Sequence, residues 1–343
     1  MRSTLMLLIV ACCSAVAFAQ QPIPNAVSPA SRTIAIDVVA APRSGPPVAG
    51  LEQKDFTIFD SKIERPITSF HAFAGPQTPV QIVLVIDAVN IDYSAMAYER
   101  EQIDTFLRSN GGHLLHPVAL VIFTDQGTEM QHGASTDGNQ LSALLDRSVT
   151  GLRQIHRGSV GGGEDRFNLS IRALRSIASA PSSPPGRTII FWISPGWPLL
   201  SGPDIQLNSR EEQQIFAQVV DLSTLLRRNN ITIYSIDPLG AGQSVAWENA
   251  YEQFLGGVKN SGQVNLGNLA LQVLAVQSGG LALGASNDTV TRLKQCMADT
   301  TAYYRITYEA PPTEHTDQYH PIAVRLSLPG LTARTRTGYY AQP

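Results

Sequence analysis

Gln81-Ile82-Val83-Leu84-Val85-Ile86-Asp87-Ala88-Val89-Asn90 is the stretch that decides the fold. An unbroken apolar run stops at a carboxylate, then short polar residues lead into a helical pattern. Runs of this kind belong to strands covered on both faces, which is the condition of a parallel sheet layered between helices. In such open sheets ligands bind outside the carboxyl ends of the strands, where the strand order reverses. Asp87 therefore stands where a metal ion or a binding loop would be anchored. No Gly-x-Gly-x-x-Gly follows it, so the backbone cannot approach a pyrophosphate as a dinucleotide site requires.

Outward from this strand the same rhythm continues. Apolar runs at 81–86, 117–123, 188–193 and 231–236 alternate with helical patterns near 94–108, 139–147, 166–179 and 210–228. Strands separated by helices predict βαβ units and a parallel sheet. The helix from Arg210 carries Ile215, Val219, Leu222, Leu225 and Leu226 at three- and four-residue spacing, an amphipathic crossover feeding the strand at 231–236. Helical patterns near 246–255, 265–278 and 287–299 follow, with a short strand at 281–284.

The flanks read differently. Thr33 to Val39 alternates apolar and polar residues, and 55–60 and 65–70 are short strands between polar turns. After Thr300 strands recur at 303–309, 322–328 and 331–340, separated by Pro311-Pro312 and Pro329-Gly330. Both ends of the chain are thus β, and chain termini often lie close together. The expected organisation is a small discontinuous β domain at 33–76 and 301–341, with an α/β domain at 78–300 inserted into it.

Residues 1–19 read as a secretory signal: Arg2, an apolar core from Leu5 to Val16, and Ala17-Phe18-Ala19 before Gln20. Residues 20–32 form a linker rich in Gln, Pro, Ser and Ala. A rival reading takes Ile9-Val10-Ala11-Cys12 as a lipobox, making the product a lipoprotein anchored through Cys12. Either way the protein is expected to be exported across the inner membrane, to the periplasm or beyond. No later segment reaches the ~20 apolar residues a membrane helix needs. Cleavage at Ala19 leaves Cys296 alone among three cysteines, so packing holds the fold without a disulfide.

Of 343 residues, 15% are charged, and the formal net charge is −3. No basic field exists to attract nucleic acid.

Several stretches together resemble von Willebrand factor A domains, specifically the secreted bacterial VWFA-related Acidobacterial domain family. They are Leu84 to Asn90, Ser135-Thr136-Asp137, Gly186 to Gly196, Ile233 to Asp237, Ser278-Gly279-Gly280, Tyr303 to Tyr308 and Arg336 to Tyr340, with Gly50 to Phe56 as a lead-in strand. The resemblance covers about residues 33 to 341 and rests on the order of the motifs. It implies a doubly wound, mostly parallel, Rossmann-like open α/β sheet with a metal-dependent adhesion site at its carboxyl edge. In that superfamily an Asp-x-Ser-x-Ser segment, a Thr and a further Asp hold an ion, which a partner's carboxylate completes. An all-oxygen site of this kind suits a hard cation.

This chain departs from the pattern. Asp87 matches, but the Ser positions fall at Val89 and Ile91, and the last Asp position falls at Ser194-Pro195-Gly196. Asn168 lies near the Thr position, and Asn90, Asp92 and Ser94 are the neighbours able to substitute. The degenerate ligand set Asp87, Asn90, Asp92, Asn168 and Ser194 predicts no cofactor, and at most weak Mg²⁺ or Ca²⁺ binding. In the plainer alternative, Asp87 and Asn90 hydrogen-bond backbone amides and fix the strand-to-helix turn.

Catalytic constellations are missing from the sequence. Trp192-Ile193-Ser194-Pro195-Gly196 imitates a nucleophile elbow, but Trp192 replaces the first Gly and Pro195 has no N–H for an oxyanion hole. The histidines show no metal spacing, and His113 and His116 read as solvated loop residues. Gly161-Gly162-Gly163 reads as a flexible loop. The expectation is therefore a non-enzymatic, adhesion-type module that binds a protein or an envelope or matrix component. Its binding edge would comprise Asp87, Asn90, Ser194 and Trp197, although Trp197 reads equally well as a cap on the sheet. The rivals are a structural envelope module with nothing bound at that edge, and an atypical hydrolase using Ser194.

Overall fold

The computed structural model describes residues 32–76, 78–130, 133–148, 160–180, 186–198, 207–239, 250–313 and 315–342. The signal and lipobox at 1–19 and the linker up to Ser31 lie outside them. So do Trp247, His132 and His156.

The N-terminal strands are β1 (Thr33–Pro42), β2 (Phe56–Asp60), β3 (Ile63–Arg65) and β4 (Ile67–Ala74). The α/β segment runs β5 (Val80–Asp87), α1 (Tyr93–Leu107), β6 (His113–Thr124), β7 (Gly127–Met130), β8 (Ser135–Asp137), α2 (Gly138–Ser148), α3 (Val160–Ser179), β9 (Arg187–Ile193), α4 (Ser209–Arg228) and β10 (Ile231–Ile236). Helix α5 (Leu271–Gln277), β11 (Ala282–Leu283) and α6 (Thr289–Ala298) complete it, and β12 (Ala302–Glu309), β13 (Tyr319–Leu326), β14 (Leu331–Arg334) and β15 (Gly338–Tyr340) close the chain.

Seven strands form the central sheet in the order β11-β10-β9-β5-β6-β7, with β8 also pairing β6. The pairings from β11 to β6 are parallel, whereas β7 and β8 run antiparallel to β6. The sheet is mostly parallel, and period-two alternation explains how helices cover both faces. Val83, Val85, Ile190 and Trp192 point into a core with Phe167, Ile171, Leu174, Ile215, Val219, Leu222 and Leu274 of α3, α4 and α5. Ile82, Leu84, Ile86, Ile189, Phe191 and Ile193 point the other way, against Met96, Ile103, Phe106, Leu141, Leu145, Leu293 and Cys296 of α1, α2 and α6.

The terminal strands interleave in two antiparallel four-stranded sheets, β14-β1-β12-β4 and β15-β13-β2-β3. They share a core of Ile34, Ile36, Val38, Phe56, Ile58, Tyr304, Ile306, Tyr308, Ile322 and Tyr339. Residues 32–343 cluster as one unit. Buried ion pairs tie the terminal strands to the central sheet. Arg305 grips Asp37 through two bonds of 2.8 and 3.0 Å, and Arg187, 1% exposed at the start of β9, reaches the same carboxylate at 3.8 Å. Arg334 of β14 pairs with Asp299, which also accepts the Tyr234 hydroxyl at 2.7 Å.

Three sequence expectations change. The stretch 331–340 is two strands in different sheets, separated by Thr335-Arg336-Thr337. Gly161-Gly162-Gly163 is the opening turn of α3, because packing of the following apolar stripe outweighs the low helix propensity of glycine. His116 lies in β6 and is 1% exposed, with burial lowering its pKa. His320 in β13 is likewise buried.

Candidate functional site

The strand order reverses about β5. From it the chain builds β6 on one side and β9 on the other, so the crevice rule places a site at the carboxyl ends of β5 and β9. Asp87 ends β5 there and is fully buried. Its Oδ1 accepts the backbone N–H groups of Val89 at 3.1 Å and Asn90 at 2.9 Å. Its Oδ2 accepts the Asn90 side-chain amide at 2.8 Å and the Trp192 indole N–H at 3.1 Å. Burial raises the Asp87 pKa, and hydrogen bonds from Asn90, Trp192 and Ser194 oppose that rise.

The Asn90 amide also donates to Ser170 Oγ at 3.0 Å, and Ser170 in turn donates to the Arg166 carbonyl at 2.8 Å. One polar chain thus joins the end of β5 to α3 and β9. Ser170 and Trp192 were not singled out from the sequence. Trp192 carried a usable signal: a buried indole N–H needs an acceptor, and Trp192 pairs with Val85, two residues before Asp87. Ser170 carried none.

An ion site would need several open oxygens, and of the expected ligands this edge leaves Asn90 Oδ1 buried without a partner. A carboxylate offers about four lone-pair sites, and Asp87 already accepts four N–H groups, with the Ser194 hydroxyl beside them. Val89 and Ile91, at the two Ser positions, are 2% and 1% exposed and packed in apolar cores. Ser194 is buried and accepts the Gly196 N–H at 3.2 Å. Asp92 is the N-cap of α1, accepting the Ala95 N–H at 2.8 Å. Asn168 lies on α3 with its side chain exposed, apart from the Asp87 hydrogen-bond chain. The residues present do not fit a hard divalent cation, and among the described residues no group of three His, Cys, Asp or Glu side chains is placed to hold one.

Trp197 takes the capping one of its two readings. It is 5% exposed, packed edge-on against Trp192 with ring centroids 5.3 Å apart, and Trp192 meets Phe123 in the same way at 6.1 Å. The chain turns inward at Pro195-Gly196, where Gly196 has φ 109° and a Cβ would meet the Gln272 side chain at 2.7 Å. The aromatic is a plug beneath the edge rather than a surface for a partner. Of the four expected edge residues, Asp87, Asn90 and Ser194 converge, and Trp197 supports them from below.

A second carboxylate occupies the same edge further out. Asp237 follows β10 as Asp87 ends β5, and its Oδ1 accepts the Leu239 N–H at 2.9 Å. Glu99 of α1 is fully buried, accepts the Thr289 hydroxyl of α6 at 3.2 Å through Oε1, and leaves Oε2 without a partner. Burial, with a smaller push from Asp237, raises its pKa to about 7.

No family model matches the chain, and no curated protein does. Solved structures do. Proximal thread matrix protein 1 from the mussel byssus is similar at 11% identity and a TM-score of 0.39, over 70% of this chain and 51% of that one. The PilB minor pilin from Streptococcus sanguinis is similar at 12% identity and a TM-score of 0.39, over 68% of this chain and 63% of that one. The manganese-loaded Plasmodium vivax TRAP protein is similar at 9% identity and a TM-score of 0.36, over 78% of this chain and 96% of that one. The chain thus spans less than two thirds of the length of the first two.

Proposed function

We propose that this chain is an exported, non-enzymatic, adhesion-type module that binds a protein or an envelope or matrix component at the carboxyl edge of its α/β sheet, without a divalent ion. The sequence resemblance to von Willebrand A domains of the Acidobacterial group motivates the class of function. The observation that carries the cation-independence is Asp87: this buried carboxylate already accepts four N–H groups. The edge is fixed by hydrogen bonds where a metal-bearing relative would hold an ion.

A hydrolytic role for Ser194 is disfavoured. Its hydroxyl is buried and engaged with Gly196, and Pro195 offers no oxyanion donor. The terminal β-sheets serve in this proposal as the carrier of the α/β module, and residues 1–19 as its export signal.

The test measures binding of the purified mature protein to isolated envelope material, in excess EDTA and in millimolar Mg²⁺. Binding should be equal in the two buffers, weakened by Asn90→Ala and by Asp125→Lys in the turn after β6, and retained by Arg228→Ala at the opposite end of the sheet. Binding abolished by EDTA and restored by Mg²⁺ would overturn the proposal.

A further inference from the structure

Helices α3 and α4 cover one face of the central sheet. Each begins at the carboxyl edge, because α4 leaves β9 there and α3 runs back to enter β9 from the opposite end. Between their second and third turns lies a cavity of about 160 Å³, lined by Glu164, Phe167 and Asn168 of α3, Ile215 and Gln218 of α4, and Leu266 and Leu269. Small-molecule and cofactor sites usually measure ~300–1,000 Å³. This cavity is too small for them and suits one side chain.

Its walls are of two kinds. Phe167 and Leu269 are buried, and with Ile215 and Leu266 they make an apolar floor. Glu164, Asn168 and Gln218 form a polar rim, and none of the three has a hydrogen-bond or ion-pair partner among the described residues. Glu164 and Asn168 are four apart on one helix face, and Phe167 lies between them on the same stripe. Over the first three turns of the two helices, Glu164 and Asp165 on α3 and Glu211 and Glu212 on α4 outnumber Arg166 and Arg210.

We propose that this cavity receives an arginine or lysine side chain from the partner protein. These residues lay an apolar stem along hydrophobic surface while keeping the charged head at a polar rim. Glu164 supplies the charge-assisted acceptor, and the Asn168 and Gln218 carbonyls supply further acceptors. A partner carboxylate is repelled by the same rim. The proposal rests on the adhesion reading and gives its partner a chemistry: a basic loop, steered by electrostatic complementarity.

The probes are tetra-arginine, tetra-lysine and tetra-glutamate peptides, titrated into the full chain at low salt and followed by fluorescence anisotropy. Tetra-arginine should bind saturably, and tetra-glutamate should not. Glu164→Gln, an exposed and shape-conserving change, should weaken binding at least about tenfold, the effect of losing one charge-assisted contact. Asn168→Trp should block the mouth and abolish binding, with an unchanged melting curve confirming the fold. The cavity is refuted if tetra-arginine does not saturate, or if Asn168→Trp binds it as wild type does. Envelope binding that survives Asn168→Trp but fails in Asp125→Lys also refutes the cavity while leaving the edge intact. Tetra-arginine binding that needs Glu164, without any envelope binding, upholds the cavity and overturns the adhesion reading.

Discussion

At the residue scale the edge is governed by where its protons and donors sit. Asp87 ends an apolar strand, and that was legible because only a carboxylate interrupts the run. Its partners were not legible, since Trp192 lies 105 positions away and Ser170 lies 80 positions from Asn90. Trp192→Phe should destabilise the fold by about 1–3 kcal/mol in denaturant titrations, because a buried carboxyl oxygen loses one of its donors. Glu99 gives a prediction of opposite sign. Its folded pKa of about 7 lies above its ordinary value of 4.5, so the folded state favours the neutral acid. Stability is therefore greatest below that ordinary value, falls as pH rises towards 7, and is lowest above it. Glu99→Gln should be more stable than wild type at pH 8, by on the order of 3 kcal/mol, with the difference vanishing near pH 4. Equal urea midpoints for the two proteins at pH 8 would refute this.

At the element scale, unbroken apolar runs and helical spacing located the strands and crossover helices of the central sheet, because those patterns are set locally. Register and partnership between distant strands are set by packing, which explains the misread stretch 331–340. There the chain leaves β14, where Arg334 pairs with Asp299, and rejoins another sheet at Gly338. Boundaries depend on caps. Helix α4 starts where Asn208 accepts the Arg210 and Glu211 N–H groups at 3.0 Å each, and Glu211 returns a bond to the Asn208 N–H at 2.8 Å. Asn208→Ala should cost about 1 kcal/mol of stability in thermal or urea melts, the usual value of an N-cap. Helix α4 carries one wall of the α3–α4 cavity, so the same change should weaken tetra-arginine binding if fraying reaches Ile215.

At the scale of the whole molecule, composition at the two ends showed that both are β but not how they are joined. The joint is polar as well as apolar. Asp60, at the end of β2, is fully buried and accepts the Tyr339 hydroxyl at 2.7 Å, the Tyr308 hydroxyl at 3.3 Å and Ser61 Oγ at 3.0 Å, with His320 Nδ1 at 2.9 Å. Tyr308 belongs to one terminal sheet, whereas His320 and Tyr339 belong to the other, so a single carboxylate pins the two sheets together. Arg227 of α4 lies 5.9 Å over the Tyr339 ring, which extends the pin to the α/β layer. Asp60→Ala should cost about 3 kcal/mol or more, because it leaves two hydroxyls and an imidazole buried without their acceptor. Asp60→Asn, which keeps an acceptor oxygen, should cost less. Because residues 32–343 cluster as one unit, the loss should spread beyond the terminal sheets. Far-UV circular dichroism follows the whole chain, while Trp192 and Trp197 fluorescence follows the α/β core. In Asp60→Ala both midpoints should fall by the same amount. A fluorescence midpoint left at its wild-type value would instead show that the terminal sheets unfold as a separate domain around an intact α/β core.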